Sequence, residues 1–275
     1  MKLAVIGYPI RHSKSPFMHN IWMNELNIDG QYEAIEVSPD QLEQQIHFFK
    51  ENNYTGFNVT IPHKENVIQH LDDIDEAAKD LGAVNTVLIK NGKCTGYNTD
   101  GNGFLQSLLT KRSEAEIRQA RILILGAGGA AKGITGSLKS FGASQISIAN
   151  RTSAKAVSLV DALGLTGEGM DLSKAQNQLQ DYDIVINTTS VGMFPHIHQL
   201  PIDTSFMKKG ALAADIIYNP LRTQFLLKAE SAGADSLNGI GMFVFQGALA
   251  FEMWTSRKPE AAEMIIKITD KMKQE

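Results

Sequence analysis

Short apolar runs bounded by turn residues alternate along this chain with longer stretches whose apolar positions recur every three or four residues. That is the pattern of strands and amphipathic helices in succession. In the first hundred residues it predicts strands at 2–6, 31–36 and 56–60, and helices at 15–26, 39–51, 66–70 and 75–81. Two further strands, 84–89 and 93–98, flank Asn91-Gly92, a dipeptide suited to a tight hairpin, so this part carries an antiparallel pair. A helix is predicted at 103–109, and a charged stretch follows at 111–119. The order then becomes strand 121–125, helix 130–141, strand 145–149, helix 153–163, strand 183–187 and strand 211–215. Such a βαβ succession predicts a parallel, doubly wound sheet, so the fold class is α/β. Two helices, 241–256 and 259–273, follow. The second needs an apolar surface for Ile265, Ile266 and Ile268, and both are expected to return to the first part of the chain.

Composition narrows the partners. A chain of 275 residues can form one large or two moderate domains, and 43% hydrophobic with 20% charged residues is ordinary for a globular protein. The net charge of -4 gives no electrostatic reason to bind nucleic acid or an anionic membrane. No apolar stretch approaches the roughly 20 residues that cross a bilayer. The apolar start, Met1 to Ile6, stops at Gly7-Tyr8-Pro9 and reads as a strand rather than a signal peptide. The single Cys94 cannot make an intrachain disulfide. A cytoplasmic protein with a small-molecule partner is expected.

The strand at 121–125 runs directly into Gly126-Ala127-Gly128-Gly129-Ala130-Ala131, a Gly-x-Gly-x-x-Ala turn before a helix. Such a turn lets backbone approach a pyrophosphate and aims helix N–H groups at it. An acidic residue after the next strand would suit the ribose 2′-hydroxyl of NAD. Here Asn150-Arg151-Thr152 stands there, with Lys155 one turn on, which suits a 2′-phosphate. NADP is the expected cofactor. The strand at 183–187 ends in Asn187-Thr188-Thr189-Ser190-Val191-Gly192-Met193. Ligands of doubly wound sheets lie beyond such strand ends, although the same residues also serve simple turn chemistry.

Three polar clusters in the first hundred residues carry candidate chemistry. Ser13, Lys14 and Ser15 precede Pro16, where Ser15 reads as a helix N-cap; the two hydroxyls could also receive a carboxylate. Along 58–64, strand alternation puts Asn58 and Thr60 on one face and Val59 and Ile61 on the other, with Lys64 emerging after Pro62. Asn85-Thr86 and Asn98-Thr99-Asp100 supply a polar rim at strand ends. A Lys beside an Asp in a partly dry cleft can exchange a proton with a substrate oxygen. His63 could do so too, or could simply pack against Pro62. His196 and His198 lie in a proline-flanked loop without a nearby carboxylate or thiol, and no metal site is expected.

Taken in order, these segments closely resemble the shikimate dehydrogenase family. The motifs are Gly-x-Pro-x-x-His-Ser-x-Ser-Pro-x-x-His-Asn at 7–20, Asn-Val-Thr-Ile-Pro-x-Lys at 58–64, Gly-Ala-Val-Asn-Thr at 82–86 and Asn-Thr-Asp-Gly at 98–101. The cofactor-side motifs are those at 126–130, 150–152 and 187–193, followed by Asp-Ile-Ile-Tyr-Asn-Pro at 215–220 and Gly-Met-x-x-x-Gln at 241–246. The resemblance implies a substrate domain with a mixed sheet at 1–103 and 240–275, a Rossmann-type NADP domain at 104–239, and a monomer or homodimer. It implies reversible, NADPH-dependent reduction of 3-dehydroshikimate to shikimate. On it, Ser13, Ser15 and Tyr218 hold the substrate carboxylate. Thr60, Asn85, Asp100 and Gln246 hold ring hydroxyls, with Asn58 in support. Lys64 gives or takes the proton, with Asp100 beside it. The cofactor meets Gly126, Ala127, Gly128, Gly129, Ala130, Asn150, Arg151, Thr152 and Lys155. Thr188, Ser190, Met193, Ile216, Gly239 and Met242 line its nicotinamide side, and Glu76 faces it. Gly133 and Phe243 depart from the usual Ala and Leu without removing a chemical group.

Overall fold

The computed structural model describes residues Met1–Gln274. Its elements begin with β1 (Lys2–Gly7), α1 (Ser15–Glu25), β2 (Gln31–Glu36), α2 (Leu42–Glu51), β3 (Gly56–Val59), β4 (Asp73–Ile74), α3 (Glu76–Leu81), β5 (Thr86–Lys90) and β6 (Lys93–Tyr97). Then come α4 (Asp100–Leu109), α5 (Glu114–Gln119), β7 (Arg121–Leu125), α6 (Gly129–Phe141), β8 (Gln145–Ala149), α7 (Ser153–Leu163), β9 (Gly169–Met170) and α8 (Leu172–Asn177). The last are β10 (Ile184–Asn187), β11 (Leu212–Asp215), α9 (Gln224–Ser231), β12 (Asp235–Leu237), α10 (Ile240–Thr255) and α11 (Ala261–Gln274). They form two compact units, one of Met1–Thr99 with Gln246–Lys271, the other built on Asp100–Phe245.

The first unit holds a mixed sheet in the order β2-β1-β3-β5-β6-β4. Strand β1 is parallel to β2 and β3, while β5 runs antiparallel to β3 and to β6 across the Asn91-Gly92 turn. Covered on both faces, β1 is apolar nearly throughout. Ala4 and Ile6 join Phe49, Phe57, Val59, Val87 and Cys94 in one core. Trp254 of α10 packs on this sheet and donates its indole N–H to the Val87 carbonyl at 2.9 Å. That approach needs Gly56, because a Cβ there would lie 2.1 Å from the Trp254 Nε1.

The second unit is an all-parallel sheet in the order β9-β8-β7-β10-β11-β12. Taken in chain order from β7 this is 3-2-1-4-5-6, the doubly wound arrangement, with its switch point between β7 and β10. Alternation along β7 sends Ile122 and Ile124 into one core layer and Leu123 and Leu125 into the other. Helix α4 packs on α6 at small residues: a Cβ on Gly101 would sit 2.4 Å from the Gly133 carbonyl oxygen.

Four local expectations are corrected. Helix α1 begins at Ser15 itself, with Lys14 in the cap position and no side-chain cap; Ser13 Oγ accepts the Ser15 N–H at 3.3 Å. Strand β3 ends at Val59, so Ile61 does not share its buried face and is 73% exposed. On α11 it is Met264 and Ile268 that are buried; Ile266, about 100° around the helix from its neighbours, is exposed. The charged stretch contains α5, closed by a capping box between Ser113 and Glu116. Among the described residues no helix is long and apolar enough to cross a membrane.

Candidate active site

On the second unit, β7 delivers the chain into a turn at which Gly126 has φ +108°, a conformation suited to glycine. A Cβ at Gly126 would also meet Thr188 Oγ1 at 2.7 Å. At Gly128 and Gly129 an added Cβ would meet nothing within 4 Å. The start of α6 therefore faces open space with its first N–H groups, the arrangement an anion needs. A cleft of about 430 Å³ is lined by Gly126, Gly128, Asn150, Arg151, Thr152 and Lys155, and extends to Ser190. Arg151 is exposed there, and the turn that carries it is held by other groups: Asn150 Nδ2 donates to the Thr152 carbonyl at 3.0 Å, as does the Lys155 N–H. The donors and the cation fit a dinucleotide bearing an extra phosphate.

Thr189, Ser190 and Val191 of the 187–193 turn also line that cleft. Asn187 takes the turn role: its Oδ1 accepts from the Thr189 N–H and hydroxyl at 3.0 and 2.7 Å, and its Nδ2 reaches Asp215 Oδ1 at 3.1 Å. Asp215, at the end of β11, also accepts from the Ile217 N–H and the Thr223 hydroxyl at 3.0 and 2.7 Å. Burial outweighs these donors and pushes its carboxyl up to about 6. Gly239 lies against the next segment so closely that a Cβ would stand 2.1 Å from the Ile216 carbonyl oxygen. Ile216 and Met242 are both partly buried against the core of this unit.

Burial of the Asp215 carboxyl couples the protein's stability to pH. The folded state holds the proton more tightly than the unfolded chain, so this residue's contribution is fully present below about pH 4 and is lost as the pH rises through about 6. The loss amounts to about 3 kcal/mol. Asp215→Asn should therefore gain stability relative to the wild type between about pH 4 and 7. Urea unfolding of both proteins across that range checks this; a constant difference would refute it.

On the first unit the polar residues converge beneath the end of β3. Asn58 Nδ2 donates to the Asn85 carbonyl and to Thr86 Oγ1, both at 3.0 Å. Thr86 donates to Asn85 Oδ1 at 2.9 Å, which also accepts the Thr99 N–H at 2.9 Å. Asn85 Nδ2 donates to Thr99 Oγ1 at 2.9 Å and to Gln246 Oε1 of α10 at 3.4 Å. Lys64 is clasped to the same place through its backbone, since its carbonyl accepts the Val84 N–H at 2.8 Å. His63 is fully buried, its Nε2 2.7 Å from the Val37 carbonyl, and so anchors the loop rather than facing solvent. Thr60 and Lys64 are half-buried, as are Ser13 and Lys14, whereas Ser15 is buried.

Comparison with known proteins decides what these two sites belong to. Residues 5–87 match the shikimate dehydrogenase substrate binding domain, 108–209 the shikimate / quinate 5-dehydrogenase family and 239–265 the shikimate 5′-dehydrogenase C-terminal domain. A shikimate dehydrogenase (NADP(+)) of Bacillus cereus strain AH187 is 47% identical over 263 residues, 95% of each chain. The chain belongs to the shikimate dehydrogenase family.

Solved members share the whole architecture. The shikimate 5-dehydrogenase of Thermus thermophilus, in complex with NADP(H) and shikimate, superposes with a TM-score of 0.88 at 32% identity, covering 99% of both chains. The quinate dehydrogenase of Corynebacterium glutamicum, in complex with NAD, gives 0.87 at 27% identity over 98% of this chain and 99% of that one. Within this shikimate dehydrogenase fold the predicted residues fall into two sets. Ser13, Ser15, Asn58, Thr60, Lys64, Asn85 and Gln246 lie in the first unit, together with Glu76, exposed at the start of α3. Asp100, the first residue of α4, and Tyr218 lie in the second with the residues of the dinucleotide cleft. Sequence reasoning passed over Asp215 as a support of the 187–193 turn and Tyr32 as a partner of Asn58. Asp215 stood inside a quoted motif, but nothing in the sequence marked it as buried. Tyr32 carried no local signal.

Proposed function

We propose that this protein is an NADP-dependent shikimate dehydrogenase, a cytoplasmic enzyme of the aromatic amino-acid pathway that reduces 3-dehydroshikimate to shikimate and runs in reverse. One observation carries the reading: a cradle of neutral amides and hydroxyls, Asn58, Asn85, Thr86, Thr99 and Gln246, with Lys64 clasped beside it through Val84. Neutral donors and acceptors suit a polyhydroxylated ring, and an ammonium suits an oxygen that gains charge.

In the reduction direction NADPH supplies the hydride. Lys64 gives its proton to the former ketone oxygen and stabilises the charge that builds there; in oxidation it takes that proton back. Asp100 is assigned to the same oxygen. Thr60, Asn85 and Gln246 hold the ring hydroxyls with Asn58 in support, and the hydroxyls of Ser13, Ser15 and Tyr218 donate to the carboxylate. Gly126 to Ala130 receive the pyrophosphate on backbone N–H groups, while Asn150, Arg151, Thr152 and Lys155 hold the 2′-phosphate. Thr188, Ser190, Met193, Ile216, Gly239 and Met242 line the nicotinamide side, and Glu76 faces the cofactor. The single buried Cys94 suits a reducing compartment.

The decisive measurement follows absorbance at the reduced-cofactor band with shikimate or quinate, each with NADP⁺ or NAD⁺. Shikimate with NADP⁺ should give the highest kcat/KM. A higher value for quinate or for NAD⁺ would replace this reading with a broader quinate/shikimate activity, and no turnover of any pair would leave a non-catalytic cofactor-binding protein.

A further inference from the structure

Two segments of the second unit carry residues assigned to the reactive end of the cofactor: the 187–193 turn with Thr188, Ser190 and Met193, and the 216–223 segment with Ile216. The latter also carries Tyr218, assigned to the substrate. The Ile216 N–H reaches the Asn187 carbonyl at 3.1 Å, but beyond that bond neither segment belongs to a strand or helix. Regular backbone pairing therefore does not set the spacing between them.

Asp215 ties both. Its Oδ1 is shared by Asn187 Nδ2 at 3.1 Å and the Ile217 N–H at 3.0 Å, and its Oδ2 accepts the Thr223 hydroxyl at 2.7 Å. Asn187, Asp215 and Thr223 are all at most 1% exposed. Thr223 also caps α9 by accepting the Leu226 N–H at 3.4 Å, so the far end of the segment is pinned to a helix. A backbone bond from the Phe194 N–H to the Asn219 carbonyl, at 3.1 Å, spans the same two segments.

Every polar proton in this group has one destination. Of the two Asn187 amide hydrogens, one goes to Asp215 and the other to the Val191 carbonyl at 3.3 Å. Asn187 Oδ1 accepts from the Thr189 N–H and hydroxyl, and Thr189 Oγ1 accepts the Val191 N–H at 3.1 Å. Turned by 180°, the Asn187 amide would set its oxygen against the Asp215 carboxylate and the Val191 carbonyl. The carboxylate thus fixes which way the amide faces, and the amide shapes the turn.

We infer that Asp215 is a positioning residue for hydride transfer: it fixes the spacing between the 187–193 turn and the Ile216–Tyr218 segment, and so the place of the nicotinamide that both are assigned to hold. It acts through Asn187, Ile217 and Thr223. The inference rests on the activity proposed above.

Single-turnover oxidation of shikimate at saturating NADP⁺ and pH 8 tests it, because rate and amplitude are read separately. Loss of folded protein lowers the amplitude alone, whereas a misplaced nicotinamide lowers the rate at every folded site. Asp215→Ala removes all three bonds, and the space it leaves among three donors can take a water, so the fold survives. Its rate should fall roughly ten- to thirtyfold, the scale of a sub-ångström misplacement of reacting groups. Asp215→Asn keeps an oxygen for Asn187 and Ile217 and can donate its amide to Thr223 Oγ1. It should recover to within about threefold of the wild-type rate. Thr223→Val, which opens only the far bond, should lower the rate about fivefold. A wild-type rate with reduced amplitude in Asp215→Ala, or an Asp215→Asn rate as low as that of Asp215→Ala, would overturn the positioning role. If Asp215→Ala does not fold, Thr223→Val decides, and a rate equal to the wild type refutes the role. Wild-type protein that fails to oxidise shikimate would overturn the proposed activity and take this inference with it.

Discussion

Lys64→Ala is expected to lower kcat for shikimate oxidation by about three orders of magnitude, the scale of removing both a general acid–base group and the charge that stabilises the reacting oxygen. The substitution leaves the surrounding structure in place, because Lys64 is held through its backbone carbonyl to Val84 and His63 anchors the loop beside it. NADPH binding should survive, since the glycine turn and Arg151 belong to the second unit. Lys64→Arg separates the two contributions. A guanidinium keeps the positive charge but does not give up its proton at any usable pH. It should therefore recover only a small part of the lost rate. Single-turnover reduction of 3-dehydroshikimate with bound NADPH reports the step directly. A kcat close to that of the wild type in Lys64→Ala would remove Lys64 from the chemistry.

How much of this was legible in the sequence depends on the range over which each signal acts. The glycine turn was legible because strand, turn and helix are contiguous, and Gly126 does adopt the positive φ that only glycine takes freely. The parallel, doubly wound character of the second sheet was legible in the βαβ succession, whereas its strand order came from the structure. Short elements escaped: β4 and β9 have two residues each, too few to show a period. Helix α5 escaped for a different reason. Only Ile117 on it is buried, so it has no apolar stripe, although Ser113 and Glu116 carried a capping-box signal. Ser15 shows the opposite error, since Ser before Pro is a good cap signal. In the fold Ser15 is the first residue of α1 and is buried, a placement set by packing between distant segments that no local rule could name. Lys64, Asp100 and the substrate-side amides became candidates as strand-end polar residues, but their separate roles came from family resemblance. Spacing alone could not tell a solvated lysine from a proton donor.

Arg151→Asp is the second large effect, and it bears on cofactor choice alone. Arg151 stands exposed after β8, and the turn around it is built by the Asn150 side chain and the Thr152 carbonyl, so reversing its charge should not disturb the fold. In the proposed complex the wild-type guanidinium would hold the 2′-phosphate with two charge-assisted hydrogen bonds. Aspartate removes those bonds and adds repulsion, so NADPH affinity should fall by about two orders of magnitude. NADH has no charge at that position. Its 2′-hydroxyl can donate to the new carboxylate, the pairing that NAD-binding sheets of this kind use after their second strand. NADH affinity should therefore hold or improve, and the preference between the two cofactors should invert. Fluorescence titration of both reduced cofactors tests this at two ionic strengths. Salt should weaken NADPH binding to the wild type more than NADH binding to the variant, because only the first draws on a full charge pair. Equal losses for the two cofactors would mean that Arg151 supports the turn rather than the phosphate, and the case for NADP would then rest on Lys155 and Thr152.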